Sequence, residues 1–417
     1  MKNKIVFIVV LVISFVLTFF AINFIKDSTH KSKNNSNSKT KDIVEKFSKY
    51  VIVVKETELY KKDDNKYNKV GKINKDVKLI LSDDKENSKT KYYKIDGIDY
   101  YINSKDVKSV GEFEIDSRYK NYIPFNKNIK TSSPTVFYDE NDNYIYSIDE
   151  SLDFKVLVMD EDKYGVEYNN RLVYIHSDSV DSIYDNDNGE SNKDKIRTLT
   201  YHFIYNPEKS ECKEDICHTL EQFESELKYL NENNYFTMKL NELEMYLDGK
   251  INIPEKSIVL TIDDGTVFDL DAIKLLEKYK VNLTMFVITS FVSNISDLKS
   301  DYLDLESHTH NMHNQYECPS YGMQGGGILC LPEEQVLNDL KTSQDILGGS
   351  TYFAYPFFDV NDRAIKLLKE AGFKLAFIGQ YDTEGYSYKD KTDHYKLRRM
   401  SIFSDTDLDE FISYLDS

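Results

Sequence analysis

Two adjacent aspartates, followed along the chain by two histidines, could hold a metal ion beside a general base. Asp263 and Asp264 follow the apolar run 257–262, whose β-branched residues predict a buried strand. Gly265 comes directly after them and permits a sharp turn. Neighbouring side chains of a strand point in opposite directions. We therefore expect the two carboxylates to divide their roles only where the strand ends and the chain turns.

The two histidines complete a predicted ligand set. His308 and His313 are separated by roughly 140° around an ideal helix, so a shared metal would require a loop or the start of a helix. Two imidazoles, one carboxylate and a position open to water are the composition of a catalytic zinc-type site. Such a metal lowers the pKa of its water towards roughly 7 and stabilises an oxyanion, while the second aspartate accepts a proton. These residues predict a hydrolase.

The same motifs resemble those of the polysaccharide deacetylases, carbohydrate esterase family 4, also known as the NodB homology domain. The hallmark of that family is Thr-Phe-Asp-Asp-Gly followed by a histidine pair, and this chain has Thr-Ile-Asp-Asp-Gly at 261–265. The resemblance implies that Asp263 is the catalytic base. It also implies that Asp264, His308 and His313 bind the metal, with zinc expected first and cobalt, nickel or iron also suited to the ligands.

Two features are similar to the branch of this family that deacetylates poly-N-acetylglucosamine. One is the spacing of the histidine pair, and the other is the segment Leu-Thr-Tyr-His-Phe-Ile at 199–204. In that branch this histidine replaces a general acid that other members carry near the C-terminus, so the resemblance gives that role to His202. A buried strand histidine is the competing interpretation. We expect His310 to be either a solvated or a supporting neighbour of the site, and His218 and His394 to lie at the surface.

The resemblance runs from about Arg197 to the C-terminus and includes the segment 353–358. That segment matches the family's proline-containing motif, which walls the substrate groove and supplies a backbone N–H to the oxyanion. The chain has no tryptophan, so phenylalanine or tyrosine must provide the surface on which a sugar stacks. The candidate groove residues are Tyr355, Pro356, Phe357 and Phe358.

One expected partner of the base is missing from the sequence. Many family members place an arginine just before the motif's proline to orient the base, whereas this chain has Phe353 and Ala354 there. Arg398 or Arg399 could approach Asp263 from the C-terminal segment, but a salt bridge without a catalytic role is the simpler expectation. The partner of the base is left unassigned.

The four cysteines form two close couples, Cys212 with Cys217 and Cys318 with Cys330. In an oxidising compartment they could form two local disulfides, and among the three possible pairings we favour the ones within each couple. A second zinc site is the alternative, although neither couple has Cys-x-x-Cys spacing.

Strands alternate with amphipathic helices over 196–417, which predicts a parallel sheet closed into a barrel with its site at the carboxyl ends of the strands. The deacetylase resemblance implies an irregular (β/α) barrel of the NodB homology type, so both arguments give the same fold class.

An internal repeat lies before this region. The pattern Tyr-Ile-x-Ser-x-x-Val at 101–107 returns at 174–180. Short β-branched runs and polar turns predict two small all-β barrels, over 49–112 and 118–185, followed by a linker over 186–195. These modules resemble tandem bacterial Src-homology-3-like domains, which implies that they bind peptidoglycan. A purely structural spacer is the alternative.

The N-terminal segment predicts membrane attachment. Residues 5–25 are nearly all apolar, long enough to cross a hydrocarbon core of roughly 30 Å. We expect residues 1–26 to be an uncleaved transmembrane signal-anchor and 27–48 a flexible tether, with the catalytic domain outside the cytoplasm. A cleaved signal peptide and secretion are the alternative, and the lysines after the apolar run count against export of the C-terminal domains.

The net charge of −18 and the pI near 5.0 argue against nucleic acid as a partner. The leading prediction is a metal-dependent N-deacetylase that converts N-acetylglucosamine of cell-wall peptidoglycan to glucosamine and acetate. One alternative keeps this chemistry and changes the substrate to secreted poly-N-acetylglucosamine. The other alternative is a wall-binding protein whose enzyme domain has lost its activity.

Overall fold

The computed structural model describes residues 48–83, 91–186, 193–293, 295–314, 316–318, 326–379, 385–389 and 391–416. The predicted signal-anchor over 1–26, and the predicted tether apart from Ser48, lie outside the described residues. Among the described residues, no helix is both long and apolar enough to cross a membrane. The predicted localisation at the cell membrane through an N-terminal helix is corrected on this finding, because nothing in the described structure supports it.

The described residues of the N-terminal part form fifteen strands, and all of the pairings among these strands are antiparallel. The first seven strands are β1 (Tyr50–Val53), β2 (Thr57–Asp63), β3 (Lys66–Ile73), β4 (Lys78–Ile80), β5 (Tyr92–Lys94), β6 (Tyr101–Asn103) and β7 (Val107–Ser109). The next eight are β8 (Lys127–Thr131), β9 (Thr135–Tyr138), β10 (Tyr144–Ile148), β11 (Asp153–Lys155), β12 (Val158–Met159), β13 (Lys163–Tyr168), β14 (Arg171–His176) and β15 (Val180–Asp185).

The repeated sequence motif has the same structure in both copies. In each copy a strand is followed by one 3-10 turn and a second strand, β6 and β7 in the first copy and β14 and β15 in the second. Each copy also contributes a three-stranded sheet, in the orders β4-β1-β7 and β11-β8-β15.

The remaining strands of the two copies do not form separate barrels. They join in one nine-stranded sheet of order β12-β13-β14-β9-β10-β3-β2-β6-β5. Pairing of β10 with β3, where Tyr146 lies opposite Ile73, connects one copy to the other. The predicted pair of closed barrels is therefore not confirmed, and the predicted likeness to Src-homology-3-like domains stays a prediction.

The second copy packs on the C-terminal region. Its Tyr119, Tyr122 and Val158 belong to one buried cluster with residues such as Leu243 and Ile251. Two short antiparallel bridges reinforce this contact, Ile123 with Asn252 and Val158 with Ile251. Burial of this apolar surface fixes the second copy to the C-terminal region.

In the C-terminal region the residues that the structure describes form eleven strands and six α-helices. The strands are β16 (Lys195–Tyr201), β17 (Phe203–Tyr205), β18 (Cys217–Thr219), β19 (Phe236–Thr237), β20 (Ser257–Ile262), β21 (Leu283–Val287), β22 (Leu303–Ser307), β23 (Tyr352–Ala354), β24 (Leu375–Phe377), β25 (Tyr386–Tyr388) and β26 (Met400–Ser401). The helices are α1 (Leu220–Glu232), α2 (Leu240–Leu247), α3 (Asp271–Tyr279), α4 (Glu333–Ile346), α5 (Asp362–Glu370) and α6 (Leu408–Asp416).

Strands β24, β23, β22, β21, β20 and β16 form a parallel sheet in that order. The segment 397–401 closes it, because Leu397 bridges to Phe377 of β24 while β26 pairs with β16. This closed arrangement agrees with the deacetylase-type fold predicted for this region. The carboxyl ends of its strands meet at one end of the ring, which is where the predicted site residues fall.

The amphipathic helices cover the outside of the ring as their sequence pattern predicts. In α1, for example, Phe223, Leu227 and Leu230 are buried in one cluster with strand residues such as Leu260. The expectation that His218 lies at the surface is wrong. Its side chain is 1% exposed, because β18 lies beneath α1, and its Nε2 is 3.1 Å from Oε1 of buried Glu226.

Candidate active site

The aspartate pair sits where β20 ends, as the sequence predicts for a turning chain. Asp264 and Gly265 both adopt left-handed backbone conformations, with φ of 70° and 71°. Aspartate tolerates this region better than most residues, and glycine adopts it freely. The turn directs the Asp263 carboxylate towards the interior of the ring and the Asp264 carboxylate towards the histidine pair.

The histidine pair lies on a loop after β22 and not on a helix face. His308 directly follows the strand, and Thr309 then takes a φ of 81° that turns the chain back. Asp339 of α4 holds the loop by accepting the backbone N–H groups of His310 and Asn311 at 2.8 Å. The loop brings His313 back beside His308, with ring centres 5.0 Å apart.

The ligand set converges on one point. Oδ1 of Asp264 is 3.5 Å from Nε2 of His308 and 3.3 Å from Nε2 of His313. Nδ1 of His308 is 2.8 Å from the carbonyl oxygen of Ala354. A proton on Nδ1 satisfies that carbonyl, so the Nε2 lone pair of His308 faces the carboxylate.

These residues fit a divalent metal ion. One ligand atom from each of Asp264, His308 and His313 lies within 4.8 Å of the others. Oδ1 of Asp264 is buried and accepts no hydrogen bond from the described residues. A buried carboxylate oxygen in that situation is costly unless a cation compensates it.

Asp263, the predicted base, contacts Arg399, so the partner that the sequence left unassigned is this arginine. Its guanidinium donates two hydrogen bonds to Asp263, Nη1 to Oδ1 at 2.6 Å and Nη2 to Oδ2 at 2.7 Å. The two side chains are 0% and 2% exposed. Burial alone would raise the pKa of Asp263, but the positive charge and hydrogen bonds of Arg399 outweigh it and lower the pKa to about 2.

Arg399 is itself held rigidly inside the ring. Its Nε donates to the carbonyl of Ile378 at 3.2 Å, and Nη1 also lies 3.2 Å from the hydroxyl of Thr200 and 3.4 Å from that of Thr261. A guanidinium fixed at both ends presents a planar fork that matches a carboxylate. The geometry makes Arg399 the residue that orients Asp263.

A sequence signal for Arg399 was present. Leu397 is buried, Arg398 exposed and Arg399 buried, which is the alternation of a strand with one face inwards. Side chains two residues apart in an extended segment point to the same side, so Arg399 points inwards together with Leu397. Residues 397–399 lie just before the two-residue strand β26, and so short an extended segment is not predicted from its sequence.

His202 lies at the carboxyl end of β16 beside the aspartate pair. Burial lowers the pKa of its imidazole, and the carboxylates of Asp263 and Asp264 oppose that shift. Its Nδ1 is buried without a hydrogen-bond partner among the described residues.

The proline-containing segment divides into a buried part and a lining part. Tyr355 is fully buried and donates its hydroxyl to the carbonyl of Tyr395 at 3.1 Å, so its side chain does not line a groove. Pro356 is buried as well. Phe357 and Phe358 have φ of 56° and 61° and are partly exposed, and the Phe357 ring lies 4.4 Å from that of His313. Phe357 is thus the member of the predicted groove set that borders a predicted ligand, whereas the Phe358 ring lies 6.3 Å from that of His202.

The four cysteines form two disulfides. Cys212 is bonded to Cys217 and Cys318 to Cys330. The second disulfide ties the chain after the histidine loop to the turn before α4. His310 supports the loop through a 3.0 Å contact between its Nδ1 and the hydroxyl of Thr289.

Comparisons with known proteins relate the C-terminal region to deacetylases. The chain is 28% identical over 177 residues to the poly-beta-1,6-N-acetyl-D-glucosamine N-deacetylase of Staphylococcus aureus strain MRSA252; the alignment covers 37% of this chain. This chain spans 59% of the length of that relative.

Two solved structures are similar in part. IcaB from Ammonifex degensii has 20% sequence identity and a TM-score of 0.45, covering 54% of this chain and 99% of that one. The deacetylase PplD of Streptococcus pyogenes, in complex with acetate, has 20% identity and a TM-score of 0.44, covering 54% of this chain and 100% of that one.

The polysaccharide deacetylase family model matches residues 250–376. That stretch includes the aspartate pair, the histidine pair and the proline-containing segment, whereas His202 and Arg399 lie outside it. The chain therefore contains a polysaccharide deacetylase domain, of the NodB homology family of carbohydrate esterases that act on N-acetyl amide bonds.

Proposed function

We propose that this protein is a metal-dependent N-deacetylase that removes acetyl groups from N-acetylglucosamine residues of a polysaccharide, giving glucosamine and acetate. The observation that carries the proposal is that two adjacent aspartates have different partners. Asp264 faces two imidazole nitrogens, and Asp263 beside it is held by a guanidinium. One carboxylate is thus arranged to bind a cation and the other to handle a proton.

The proposed metal ligands are Asp264, His308 and His313. A divalent ion there would polarise the acetamide carbonyl and make an attacking water more acidic. Zinc suits two imidazoles and a carboxylate, and cobalt, nickel or iron would also be accepted by this donor set.

Asp263 is proposed as the general base. Its low pKa keeps the carboxylate ionised at neutral pH, ready to accept a proton from the water that attacks the acetamide carbon. Because both oxygens are held by Arg399, the carboxylate cannot rotate away from the reacting atoms. The same low pKa means that Asp263 releases the proton readily to the next acceptor.

His202 is proposed to deliver a proton to the departing amine nitrogen. Its pKa is lowered by burial, so the imidazole is neutral until it takes up a proton. The two aspartates that stabilise its charged form lie next to the place where that proton is released. A group that is charged only during the reaction suits a proton carrier.

The turn at Phe357 and Phe358 is proposed to border the acetyl group. Both residues adopt left-handed backbone conformations. Such conformations cost free energy and persist only where the surrounding structure enforces them. The N–H groups of Phe358 and Asp359 are used inside the turn, bonding to the carbonyls of Tyr355 and Pro356. The N–H of Phe357 is therefore our candidate for the backbone donor to the oxyanion.

Among polymers, we favour poly-N-acetylglucosamine over peptidoglycan. The histidine spacing and the position of His202 are similar to the poly-N-acetylglucosamine branch, and the Staphylococcus aureus relative carries that substrate in its name. Peptidoglycan was favoured only by the predicted wall-binding modules, whose likeness is not confirmed. It is kept as a second substrate in the test.

The test is acetate release by the full chain, with and without added divalent metal. The substrates are poly-N-acetylglucosamine oligomers, chitin oligomers and wall fragments, each in a separate assay. We expect metal-dependent acetate, and a loss of roughly a thousandfold or more in kcat for Asp263→Asn. Asp269→Asn is a matched control, since Asp269 follows the same strand but pairs with Lys209 outside the site.

The outcomes separate the interpretations. Acetate from poly-N-acetylglucosamine alone supports the favoured polymer, and acetate from wall fragments alone selects peptidoglycan instead. If a protein that holds one metal ion releases no acetate from any of the three, the deacetylase proposal is wrong and the binding-protein alternative gains.

A further inference from the structure

A cluster of four tyrosines lies on the first β copy, far along the chain from the catalytic residues. We call Tyr60, Tyr67, Tyr92 and Tyr101 the tyrosine platform. Tyr67 and Tyr92 are stacked with ring centres 4.2 Å apart and planes 14° from parallel. Tyr60 meets Tyr92 edge-on at 4.8 Å, and Tyr101 meets Tyr67 edge-on at 5.2 Å. All four side chains are partly exposed.

The register of the strands places these rings on the outer face of the sheet. Leu59 lies opposite Ile102, and both are fully buried on the core face. The next pair along the same ladder, Tyr60 opposite Tyr101, must point to the other face. Tyr92 lies opposite Asn103, two residues from Tyr101, and therefore shares that outer face.

Little net charge surrounds the platform. Lys69 lies opposite Tyr60 and is paired with Glu58 at 3.2 Å, and Lys94 lies opposite Tyr101 and is paired with Asp99 at 3.1 Å. Two of the lysines beside the platform are thus offset by carboxylates, and a third, Lys62, lies opposite Tyr67. Such a face is complementary to an uncharged ligand and not to a polycation or polyanion.

The composition of the platform also favours a particular ligand. Its residues are all tyrosines, which combine an aromatic face with a hydroxyl that can donate and accept a hydrogen bond. A sugar ring offers matching chemistry, because its C–H faces stack on aromatic rings and its hydroxyl and amide groups bond to phenol oxygens. Tyrosine is also enriched in protein–protein interfaces, so a second copy of the chain is the alternative occupant that the experiment distinguishes.

We infer that the tyrosine platform is a second carbohydrate site, which binds the uncharged, still acetylated N-acetylglucosamine polymer. The choice of polymer rests on the proposed function, since a chain with a deacetylase domain meets that ligand as its substrate. Deacetylation gives cationic glucosamine, which the neutral platform has no charge to retain. The platform would therefore hold unmodified stretches and let converted stretches go.

The platform and the catalytic residues belong to one compact unit over 48–417. The first copy is joined to the second through β3 and β10, and the second copy shares a buried cluster with the catalytic region. A polymer held at the platform is thereby kept at high local concentration for the same molecule's site. Binding there should lower KM for long polymers and leave kcat unchanged.

The experiment measures binding and activity separately on the full chain. Binding of poly-N-acetylglucosamine and chitin oligomers is titrated by calorimetry in the Asp263→Asn background, so that the ligand is not consumed. The platform variant combines Tyr67→Ala with Tyr92→Ala, and its conservative partner combines Tyr67→Phe with Tyr92→Phe. Tyr184→Ala is the matched control, because Tyr184 is an exposed strand tyrosine of the second copy.

We expect the alanine variant to bind long oligomers about tenfold more weakly, with the phenylalanine variant within about threefold of wild type and the control unchanged. In proteins with an intact Asp263, KM for polymer should rise by a similar factor, and kcat on a single-sugar substrate should stay the same. The two kinds of oligomer show which linkage the platform accepts.

If the alanine variant is folded and binds as tightly as wild type, the inference is wrong. Protection of the platform tyrosines from chemical nitration by bound oligomer gives the same answer without any substitution, and absence of protection also overturns it. A concentration-dependent dimer that is lost with Tyr67→Ala would mean that a second copy covers this face instead. If the wild type releases no acetate but the alanine variant still loses binding, the proposed function is wrong and the tyrosine platform remains a carbohydrate site.

Discussion

The catalytic barrel contains two carboxylates that are shielded from water, fully buried Asp263 and half-buried Glu306, and the protein treats them in opposite ways. At the carboxyl ends of the strands, Asp263 is ionised with a pKa of about 2. Towards the opposite end, where its side chain lines a cavity with Asp304 and Tyr352 near the starts of β22 and β23, Glu306 has a pKa raised to about 7 by burial. Both are surrounded by hydrogen-bond donors, so the number of hydrogen bonds does not explain the difference.

The difference comes from the charge of the donors. Asp263 receives two hydrogen bonds from a guanidinium, whereas Oε2 of Glu306 receives them from neutral groups, the hydroxyl of Ser350 and the N–H groups of Thr351 and Tyr352. Neutral donors offset only part of the desolvation cost, and Asp304 nearby adds repulsion. A cavity of about 250 Å³ lined by Glu306, Asp304 and Lys239 lies at that end, without a residue equivalent to Arg399 among its lining.

Removing the guanidinium should make the two ends alike, and this is the largest effect that we expect. Arg399→Met leaves a buried carboxylate uncompensated, which should lower the free energy of unfolding by about 3–5 kcal/mol. The activity should fall by roughly a thousandfold, because Asp263 is no longer oriented or reliably ionised. Chemical denaturation and acetate release measure the two losses.

A double variant distinguishes a positioning role from general destabilisation. Arg399→Met combined with Asp263→Asn has no buried unpaired charge, so it should recover part of the lost stability while remaining inactive. Arg399→Lys should keep most of the stability and lose activity, since lysine keeps the charge and lacks the fork. If Arg399→Lys is as active as wild type, the orienting role is refuted. Arg398→Met, at the exposed neighbour, is the control.

The end of the barrel that carries the proposed metal ligands should also differ from the opposite end in its response to divalent ions. An ion that binds only the folded protein adds about 2.7 kcal/mol at a hundredfold excess over its Kd. We expect added zinc to raise the Tm of wild type and to leave that of Asp264→Asn unchanged. Asp304→Asn, at the opposite end, should respond as wild type does. An equal rise in the Tm of Asp264→Asn would show that the ion binds elsewhere.

The sequence predicted the residues of the candidate site better than those of the opposite end, and the reason is physical. Asp263, Asp264, His308 and His313 were predicted together, because the turn after a strand and the metal ligands impose residue types on short spacings. Arg399 was discounted because its contact with Asp263 spans 136 positions and depends on how the barrel closes. Glu306 gave no signal, since its pKa comes from burial by segments distant in sequence.

The same reasoning applies outside the barrel. The repeat at 101–107 and 174–180 predicted two related copies, because each copy repeats its local strands. It did not predict that β3 and β10 pair, since a strand's sequence does not show which edge it meets. The surface position expected for His218 was wrong because one histidine in a three-residue strand carries no burial pattern.

The raised pKa of Glu306 predicts a pH dependence at the end opposite the site. Folding raises its pKa from an ordinary value near 4.5 to about 7, so the folded protein binds that proton more tightly than the unfolded chain. This contribution is fully present below about pH 4.5 and is lost as the pH rises through 7. Glu306→Gln should remove it, making the variant on the order of 2 kcal/mol more stable relative to wild type at about pH 8 than at about pH 5.

Denaturation curves of both proteins across that pH range provide the measurement. Because other groups titrate equally in both, only the difference between the two proteins is compared. A difference that does not change with pH would mean that Glu306 is ionised throughout, like Asp263.

The smallest effect concerns the ion pair at the opposite end. Nζ of Lys239 is 3.2 Å from Oδ1 of Asp304, a distance at which the two charges attract. Unlike the pair formed by Arg399 and Asp263, both side chains are partly exposed, at 25% and 38%. Water already compensates such charges, so Lys239→Met should change the free energy of unfolding by less than about 1 kcal/mol and leave acetate release unaltered. A loss as large as that of Arg399→Met would show that burial is not what separates the two ion pairs. We expect their contributions to the free energy of unfolding to differ severalfold, because water cannot reach the buried Arg399 guanidinium to take the place of its carboxylate partner.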